Sequence, residues 1–186
     1  MEDKKQIVDE ISKNWKEQHF STQQRDLFID LLLKERPSYC LETGFCTGTS
    51  SATILATCKP LNMISIGMEY NSLEIADTLE DQYNFRLVVG DSTRVMTGEF
   101  FDTHFPSGGD FYHVDGGHTY PVVESDLEKG LPHMNSNSII VVDDYGSKLC
   151  PLPSVDAAVD AFVEKHSLSL ERVSTPEGKG MVIIRL

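Results

Sequence analysis

The sequence lacks any apolar run that approaches the ~20 residues of a membrane-spanning helix. Residues 1–18, MEDKKQIVDEISKNWKEQ, have neither the apolar core of a signal peptide nor the composition of a transit peptide. The 4 cysteines form no C-x-x-C pair, which disfavours a disulfide framework and is typical of free thiols in a reducing compartment. We therefore expect a cytoplasmic protein that does not associate with membranes.

Positive charge is scarce and is not clustered. The chain has 16 Lys and Arg against 29 Asp and Glu, a formal net charge of −13. Because proteins bind a nucleic-acid backbone through clustered Lys and Arg, this balance argues against nucleic acid as a partner. The sequence also has no internal repeats, low-complexity tracts or linker-like stretches. Its 186 residues therefore predict one globular domain, 1–186.

Strand-like and helix-like segments alternate along most of the chain. Apolar residues at helical spacing predict a helix over 3–18, and a second helix begins at Ser21 or Thr22 and ends before Pro37. These N-terminal helices occupy residues 1–36. Further strands are predicted over 39–42, 63–69, 85–91, 110–116, 138–145, 168–174 and 180–186. Further helices are predicted from near Thr49, from Ser72 to about Tyr83, over 92–101 and 122–131, and from a cap at Ser154 to about His166.

The alternation amounts to five β-α units followed by a hairpin. Such a pattern predicts an α/β fold over 37–186, with a doubly wound, mostly parallel sheet covered on both faces. The last two strands are joined by TPEGK, which has no room for a helix, so we expect them to pair antiparallel. Ligands on such sheets bind outside the carboxyl ends of the strands.

The loop after the first strand is the first candidate ligand site. A strand, a turn carrying Gly44 and Gly48, and a helix starting near Thr49 favour a nucleotide-like ligand. The glycines allow close backbone approach. Glu42 would repel a pyrophosphate, and the G-x-G-x-x-G spacing of a nicotinamide dehydrogenase is missing, so that enzyme class is disfavoured. The loop favours a cofactor without phosphates, and a cationic one is compatible with it.

Acidic residues also end the second and third strands. Glu69 is placed to accept hydrogen bonds from ribose hydroxyls, and Asp91 with Ser92 is placed near an adenine edge. Each acid taken singly has another interpretation, as a helix cap or a solvated loop residue. Their common position at strand ends is what favours a binding site.

Three carboxylates are expected to converge on the same crevice, at the ends of the fourth and fifth strands. Asp115, Asp143 and Asp144 would raise one another's pKa unless a cation lay between them. Oxygen ligands of this kind favour a hard ion such as Mg²⁺, and the alternative is a solvated acidic cluster. His118 follows in the same crevice, where it could take a proton near neutral pH or serve a structural role. Tyr120 is expected to pack rather than to react.

These residues lie in motifs that resemble a known family. LETGFCTGTSS resembles the first motif of class I S-adenosylmethionine-dependent methyltransferases, with Cys46 in place of the middle glycine. FYHVDGGHTYPVVESDL, followed by SIIVVDDYG, resembles the small metal-dependent O-methyltransferases of catechol, caffeoyl-CoA and macrocin types. DDYGSKLCPLPSVDAAVDAF is most similar to the macrocin group. The resemblance runs from about Tyr39 to Phe162.

The resemblance implies a Rossmann-like, seven-stranded sheet whose last strand is antiparallel, and an enzyme that methylates a hydroxyl of a small molecule. It implies that S-adenosylmethionine is bound by Glu42, Thr43, Gly44, Phe45, Gly48, Thr49, Ser50, Glu69, Tyr70, Asp91, Ser92 and Asp115. It also implies a Mg²⁺ or similar ion on Asp115, Asp143 and Asp144, with Asp115 and His118 as catalytic residues. Either His118 or a ligand carboxylate would be the base.

Two questions stay open at this point. The chain could be a non-catalytic S-adenosylmethionine-binding protein with a regulatory or partner role, and the methyl acceptor could be a sugar, a catechol or another hydroxyl compound. The N-terminal helices are also compatible with a homodimer.

Overall fold

A computed structural model of the chain describes residues 22–68, 73–148, 152–175 and 180–186. Within these ranges seven helices, a short 3₁₀ helix at Leu131–His133 and seven strands are present. The helices are α1 (Thr22–Glu35), α2 (Thr49–Cys58), α3 (Leu73–Gln82), α4 (Ser92–Val95), α5 (Gly98–His104), α6 (Tyr120–Gly130) and α7 (Pro153–His166). The strands are β1 (Tyr39–Thr43), β2 (Asn62–Gly67), β3 (Phe85–Val89), β4 (Gly109–Val114), β5 (Met134–Asp143), β6 (Ser169–Ser174) and β7 (Gly180–Arg185). No helix in these described ranges has the length and apolar character needed to cross a membrane.

The strands form one sheet in the order β3-β2-β1-β4-β5-β7-β6. The five strands β1 to β5 pair in parallel. β7 lies between β5 and β6 and is antiparallel to both. The predicted doubly wound sheet with an antiparallel last strand is therefore confirmed. The strand order reverses between β1 and β4, where an open α/β sheet forms its ligand crevice.

Helices cover both faces of the sheet, and each face has its own hydrophobic core. Strand side chains alternate between faces, so Cys40 of β1 packs with α1, α2 and α3, whereas its neighbour Leu41 packs with α5, α6 and α7. The first core includes Phe28, Leu32, Ile54, Met63 and Phe111, and the second includes Ile64, Phe101, Tyr112, Leu127 and Phe162. The alternation fixes which helix each strand-end side chain meets.

Several predicted bounds shift by one or a few residues, and three differences have a clear physical reason. The helix predicted over 92–101 is two helices, because the Thr97 hydroxyl accepts a hydrogen bond from the Phe100 amide and caps α5. Ser154 does not cap α7, since its hydroxyl donates to the carbonyl of His118 at 2.7 Å. β5 begins at Met134 rather than at 138 because it pairs with Gly109. The helix predicted over 3–18 and the cap at Ser72 lie outside the described residues.

Candidate active site

The turn from β1 into α2 brings the ends of three strands together. Gly44 has a φ of +101°, and a Cβ at this position would lie 1.8 Å from the carbonyl oxygen of Asp115. The Gly44 amide donates to the carbonyl of Ile66 at 2.8 Å. Only glycine fits here, because the loop packs directly against the backbone after β4. This packing leaves a cavity beyond the carboxyl ends of the strands.

The cavity has a volume of about 580 Å³. The residues predicted from the sequence that line it are Gly44, Phe45, Thr49, Ser50, Asp91, Ser92, Asp115, His118, Asp143 and Asp144. The sequence analysis missed Cys46, Thr47, Ile66, Gly67, Met68, Gly90, Gly116, Gly117 and Val122. Gly67 and Gly90 lie near the carboxyl ends of the strands predicted over 63–69 and 85–91, so their position was a usable signal.

Several predicted cofactor contacts are not in the cavity wall. Glu42, Thr43 and Gly48 do not line the cavity. Gly48 instead forms the turn into α2 with a φ of +74°, and Thr43 is buried. Contact of these three residues with a ligand stays a prediction. Glu69 and Tyr70 lie outside the described residues.

Glu42 is completely buried beneath the loop. The register places it between Ser65 of β2 and His113 of β4. Its carboxylate accepts hydrogen bonds from the hydroxyls of Ser51 and Ser65, and its Oε1 lies 3.2 Å from the His113 Nδ1. Burial opposes protonation of His113, but the hydrogen bond and charge of Glu42 raise its pKa. The charge of Glu42 is thus matched inside the protein.

Two carboxylates face one imidazole in the cavity wall, in a part that we call its acidic end. The Nε2 atom of His118 is 3.8 Å from Asp115 Oδ1 and 3.5 Å from Asp144 Oδ2. One ligand atom from each of the three residues lies within 4.8 Å of the others. The nearby Asp115 carboxylate raises the pKa of His118, and the charge of Asp144 adds to the rise.

Asp143 is held differently from Asp115 and Asp144. Ile139, Val141 and Asp143 point to the face covered by α1. There the Gln24 amide donates to Asp143 Oδ1 at 2.5 Å. Burial and the charge of Asp115 raise the pKa of Asp143 to about 7. The three predicted carboxylates do meet at one crevice, but one of them is already hydrogen bonded to α1.

Asp91 fits both of its sequence interpretations. Its Oδ1 accepts from the Thr93 amide at 2.9 Å and from the Thr93 hydroxyl at 2.6 Å, which caps α4. The hydrogen bond from Thr93 lowers the pKa of Asp91. Asp91 also lines the cavity beside Ser92. A helix cap and a cavity wall are therefore combined in one residue.

The acidic end has donors that fit a divalent cation. Ligand atoms about 2.1 Å from an ion lie about 3 Å apart when adjacent and about 4 Å apart when opposite. The separations of 3.5 and 3.8 Å between His118 and the two carboxylates fall in this interval. Carboxylates and imidazole are also common metal ligands.

The chain matches a protein family and several solved structures. A family model described as "Methyltransferase domain" matches residues 41–145. Comparison with curated proteins finds no match.

The structural matches are distant in sequence and share the fold. The O-methyltransferase TomG from Streptomyces achromogenes, solved with S-adenosylmethionine, is 16% identical in sequence and has a TM-score of 0.73. The aligned region covers 100% of this chain and 91% of TomG. An O-methyltransferase from Bacillus cereus, solved with S-adenosylhomocysteine, has 12% identity and a TM-score of 0.73, with coverage of 98% and 90%. The Podospora anserina methyltransferase PaMTH1 has 15% identity and a TM-score of 0.65, with coverage of 96% and 86%.

Proposed function

This chain belongs to the methyltransferase-domain family, and we propose that it transfers the methyl group of S-adenosylmethionine to a hydroxyl of a small molecule. The acceptor is a sugar, a catechol or a similar hydroxyl compound, in line with the resemblance of its motifs to the small O-methyltransferases. A divalent cation at the acidic end of the cavity assists the reaction.

The Gly44 loop supports the assignment of the methyl donor. Gly44, Phe45, Thr49 and Ser50 would bind the methionine part, and Asp91 with its neighbour would bind the adenine end. No Lys or Arg is among the lining residues in the described part of the chain, whereas four aspartates are. S-adenosylmethionine, when bound, supplies a methyl group on a positively charged sulfur, and this wall suits such a charge.

The acidic end supports the assignment of the acceptor. Asp115 and Asp144 would hold the cation, with Asp143 beside them, and a divalent ion when bound supplies Lewis-acid activation of a hydroxyl. His118 or a neighbouring carboxylate accepts the hydroxyl proton. Methyl transfer needs no covalent enzyme intermediate, so the cavity walls contribute by orienting the reactants, which can supply up to ~7–11 kcal/mol.

One observation carries the proposal. Asp115, His118 and Asp144 converge in the wall of the same cavity that the Gly44 loop lines. These residues would supply a proton acceptor and cation ligands beside the space for a nucleoside-like donor.

The test has two stages. Isothermal titration measures binding of S-adenosylmethionine to the purified chain, and a labelled-methyl assay then measures transfer to catechol and sugar acceptors, with and without Mg²⁺ or EDTA. In the variant His118→Ala, kcat should fall by a much larger factor than KM rises. The control His166→Ala removes another half-buried imidazole that pairs with a carboxylate, Glu128, at 3.0 Å, and it should behave as the wild type.

The outcomes separate the parts of the proposal. Transfer that survives EDTA unchanged contradicts the cation but not the methyl donor. Donor binding without transfer to any acceptor contradicts the enzyme and favours a non-catalytic binding protein. Absence of donor binding contradicts the proposal as a whole.

A further inference from the structure

His118 is anchored through its backbone. Its carbonyl oxygen accepts the hydrogen bond from the Ser154 hydroxyl at 2.7 Å, which ties the loop after β4 to the start of α7. Gly117 packs against Val122, where a Cβ would lie 3.0 Å from Val122 Cγ1. The imidazole therefore extends from a loop that is hydrogen bonded to α7, and its Nε2 faces Asp115 and Asp144.

Asp143 has a different set of contacts. Its carboxylate is buried and accepts the 2.5 Å hydrogen bond from Gln24, whose side chain is also buried. The group of side chains whose ligand atoms lie mutually within 4.8 Å contains Asp115, His118 and Asp144 and does not contain Asp143. The donors that converge are therefore two carboxylates and one imidazole.

We propose that a divalent cation binds between Asp115, Asp144 and His118, with His118 Nε2 as a ligand, and that Gln24 keeps Asp143 outside the ligand set as a positioning residue. The proposal depends on the proposed function for what the ion does, but not for whether it binds. With its Nε2 on the ion, His118 would not accept the hydroxyl proton, and a neighbouring carboxylate would take that role.

The donor set determines which ions are preferred. Imidazole suits first-row transition ions, whereas Mg²⁺ prefers oxygen ligands and retains its waters. The site therefore binds Mn²⁺, Co²⁺ or Zn²⁺ more tightly than Mg²⁺. Replacement of His118 reduces this preference, because the oxygen ligands that remain serve both kinds of ion.

The experiment measures metal binding to the full chain without methyl donor or acceptor. Titration calorimetry gives the Kd for Mn²⁺ and for Mg²⁺, and pulsed electron paramagnetic resonance of bound Mn²⁺ detects coupling to an imidazole nitrogen. For His118→Ala we expect Mn²⁺ affinity to fall about tenfold or more, the scale on which loss of supporting groups already weakens metal sites, with loss of the nitrogen coupling. The control His166→Ala should keep both.

A comparison of Asp143→Asn with Asp144→Asn tests the other half of the proposal. Asp144→Asn should weaken Mn²⁺ binding, and Asp143→Asn should weaken it less. An equal loss in the two variants, or nitrogen coupling that persists in His118→Ala, overturns the proposed ligand set. Circular dichroism of each variant verifies folding.

Binding of S-adenosylmethionine in the same samples separates the two proposals. If the donor binds and no metal does, the metal site is wrong and the methyltransferase proposal stands. If Mn²⁺ binds through His118 and the donor does not bind, the metal site is supported and the proposed function fails.

Discussion

The side-chain amide of Gln24 on α1 donates to Asp143 Oδ1 at the end of β5 across 119 positions of sequence, at 2.5 Å. On the same helix, the ring of Phe28 lies 5.1 Å from the ring of His113, which pairs with Glu42. α1 precedes the region matched by the family model. It nevertheless contacts Asp143 at the acidic end of the cavity and His113, the partner of the buried Glu42. The helix is therefore part of the site's support.

Loss of the Gln24 amide should destabilise the fold. In Gln24→Leu the buried Asp143 carboxylate loses a donor, and an unsatisfied buried acceptor costs ~1–3 kcal/mol. Urea denaturation at pH 8, above the Asp143 pKa of about 7, measures the change. The control Gln23→Leu alters the adjacent, exposed glutamine and should shift the unfolding free energy by less than ~0.5 kcal/mol. Equal effects would contradict a stabilising role for this hydrogen bond.

Removal of the Glu42 charge should lower the pKa of His113. Burial lowers that pKa, and the hydrogen bond and charge of Glu42 raise it, with smaller contributions from Asp115 and Asp143. In Glu42→Gln only these two aspartates oppose the effect of burial. A raised histidine pKa stabilises the fold below the unfolded-state value, and this stabilisation is lost as pH rises through the folded-state value. The stability advantage of the wild type should therefore shrink with rising pH.

Imidazole titration by nuclear magnetic resonance measures the His113 pKa directly. The control Ser65→Ala removes the 2.6 Å hydrogen bond to Glu42 but keeps its charge, so the His113 pKa should stay raised. An unchanged pKa in Glu42→Gln would show that Glu42 does not control His113.

Gly44 should tolerate no side chain, for steric reasons beyond its backbone conformation. In Gly44→Ala the Cβ would lie 1.8 Å from the Asp115 carbonyl, so the ends of β1 and β4 must separate. Gly146→Ala is the matched control, because Gly146 has a φ of +67° and open space around its Cβ; it should cost only the ~1–2 kcal/mol of the left-handed conformation. Thermal unfolding and donor titration compare the two variants, and equal losses in both would refute the steric account.

Asp126 should make stability fall as pH rises. Its side chain is completely buried, and neither carboxylate oxygen has a hydrogen bond of ordinary geometry. Burial raises its pKa to about 6, although the hydroxyls of Ser92 and Thr43 act in the opposite direction. The folded state therefore binds a proton more tightly than the unfolded state, so this group destabilises the fold increasingly from about pH 4 to about pH 6. Asp126→Asn mimics the protonated form.

The unfolding free energy of Asp126→Asn relative to wild type should therefore increase from about pH 4 to about pH 6 and then level off. The increase should be at most ~3 kcal/mol, because each unit of pKa shift corresponds to ~1.4 kcal/mol. Urea denaturation between pH 4.5 and pH 8 measures the difference, with Asp102→Asn, an exposed position on α5, as control. A difference that stays constant with pH would contradict the shifted pKa.

The sequence by itself determined the order of strands and helices, the parallel sheet and the position of the crevice. Each of these follows from local patterns: alternation of apolar residues, short or long connections, and acids placed at strand ends. Asp115, Asp144 and His118 could be predicted together for that reason, because parallel strands bring their carboxyl ends to the same edge.

Only the tertiary structure decided how those acids are used. Glu42 lies in the first motif, yet the register of β1 between β2 and β4 sets its carboxylate against Ser65 and His113 and away from the cavity. Asp143 and Asp144 are adjacent in sequence, yet Asp143 faces Gln24 and Asp144 faces His118. Strand register and helix docking depend on partners far along the chain, and these partners determine whether a carboxylate is buried, paired or open to a ligand.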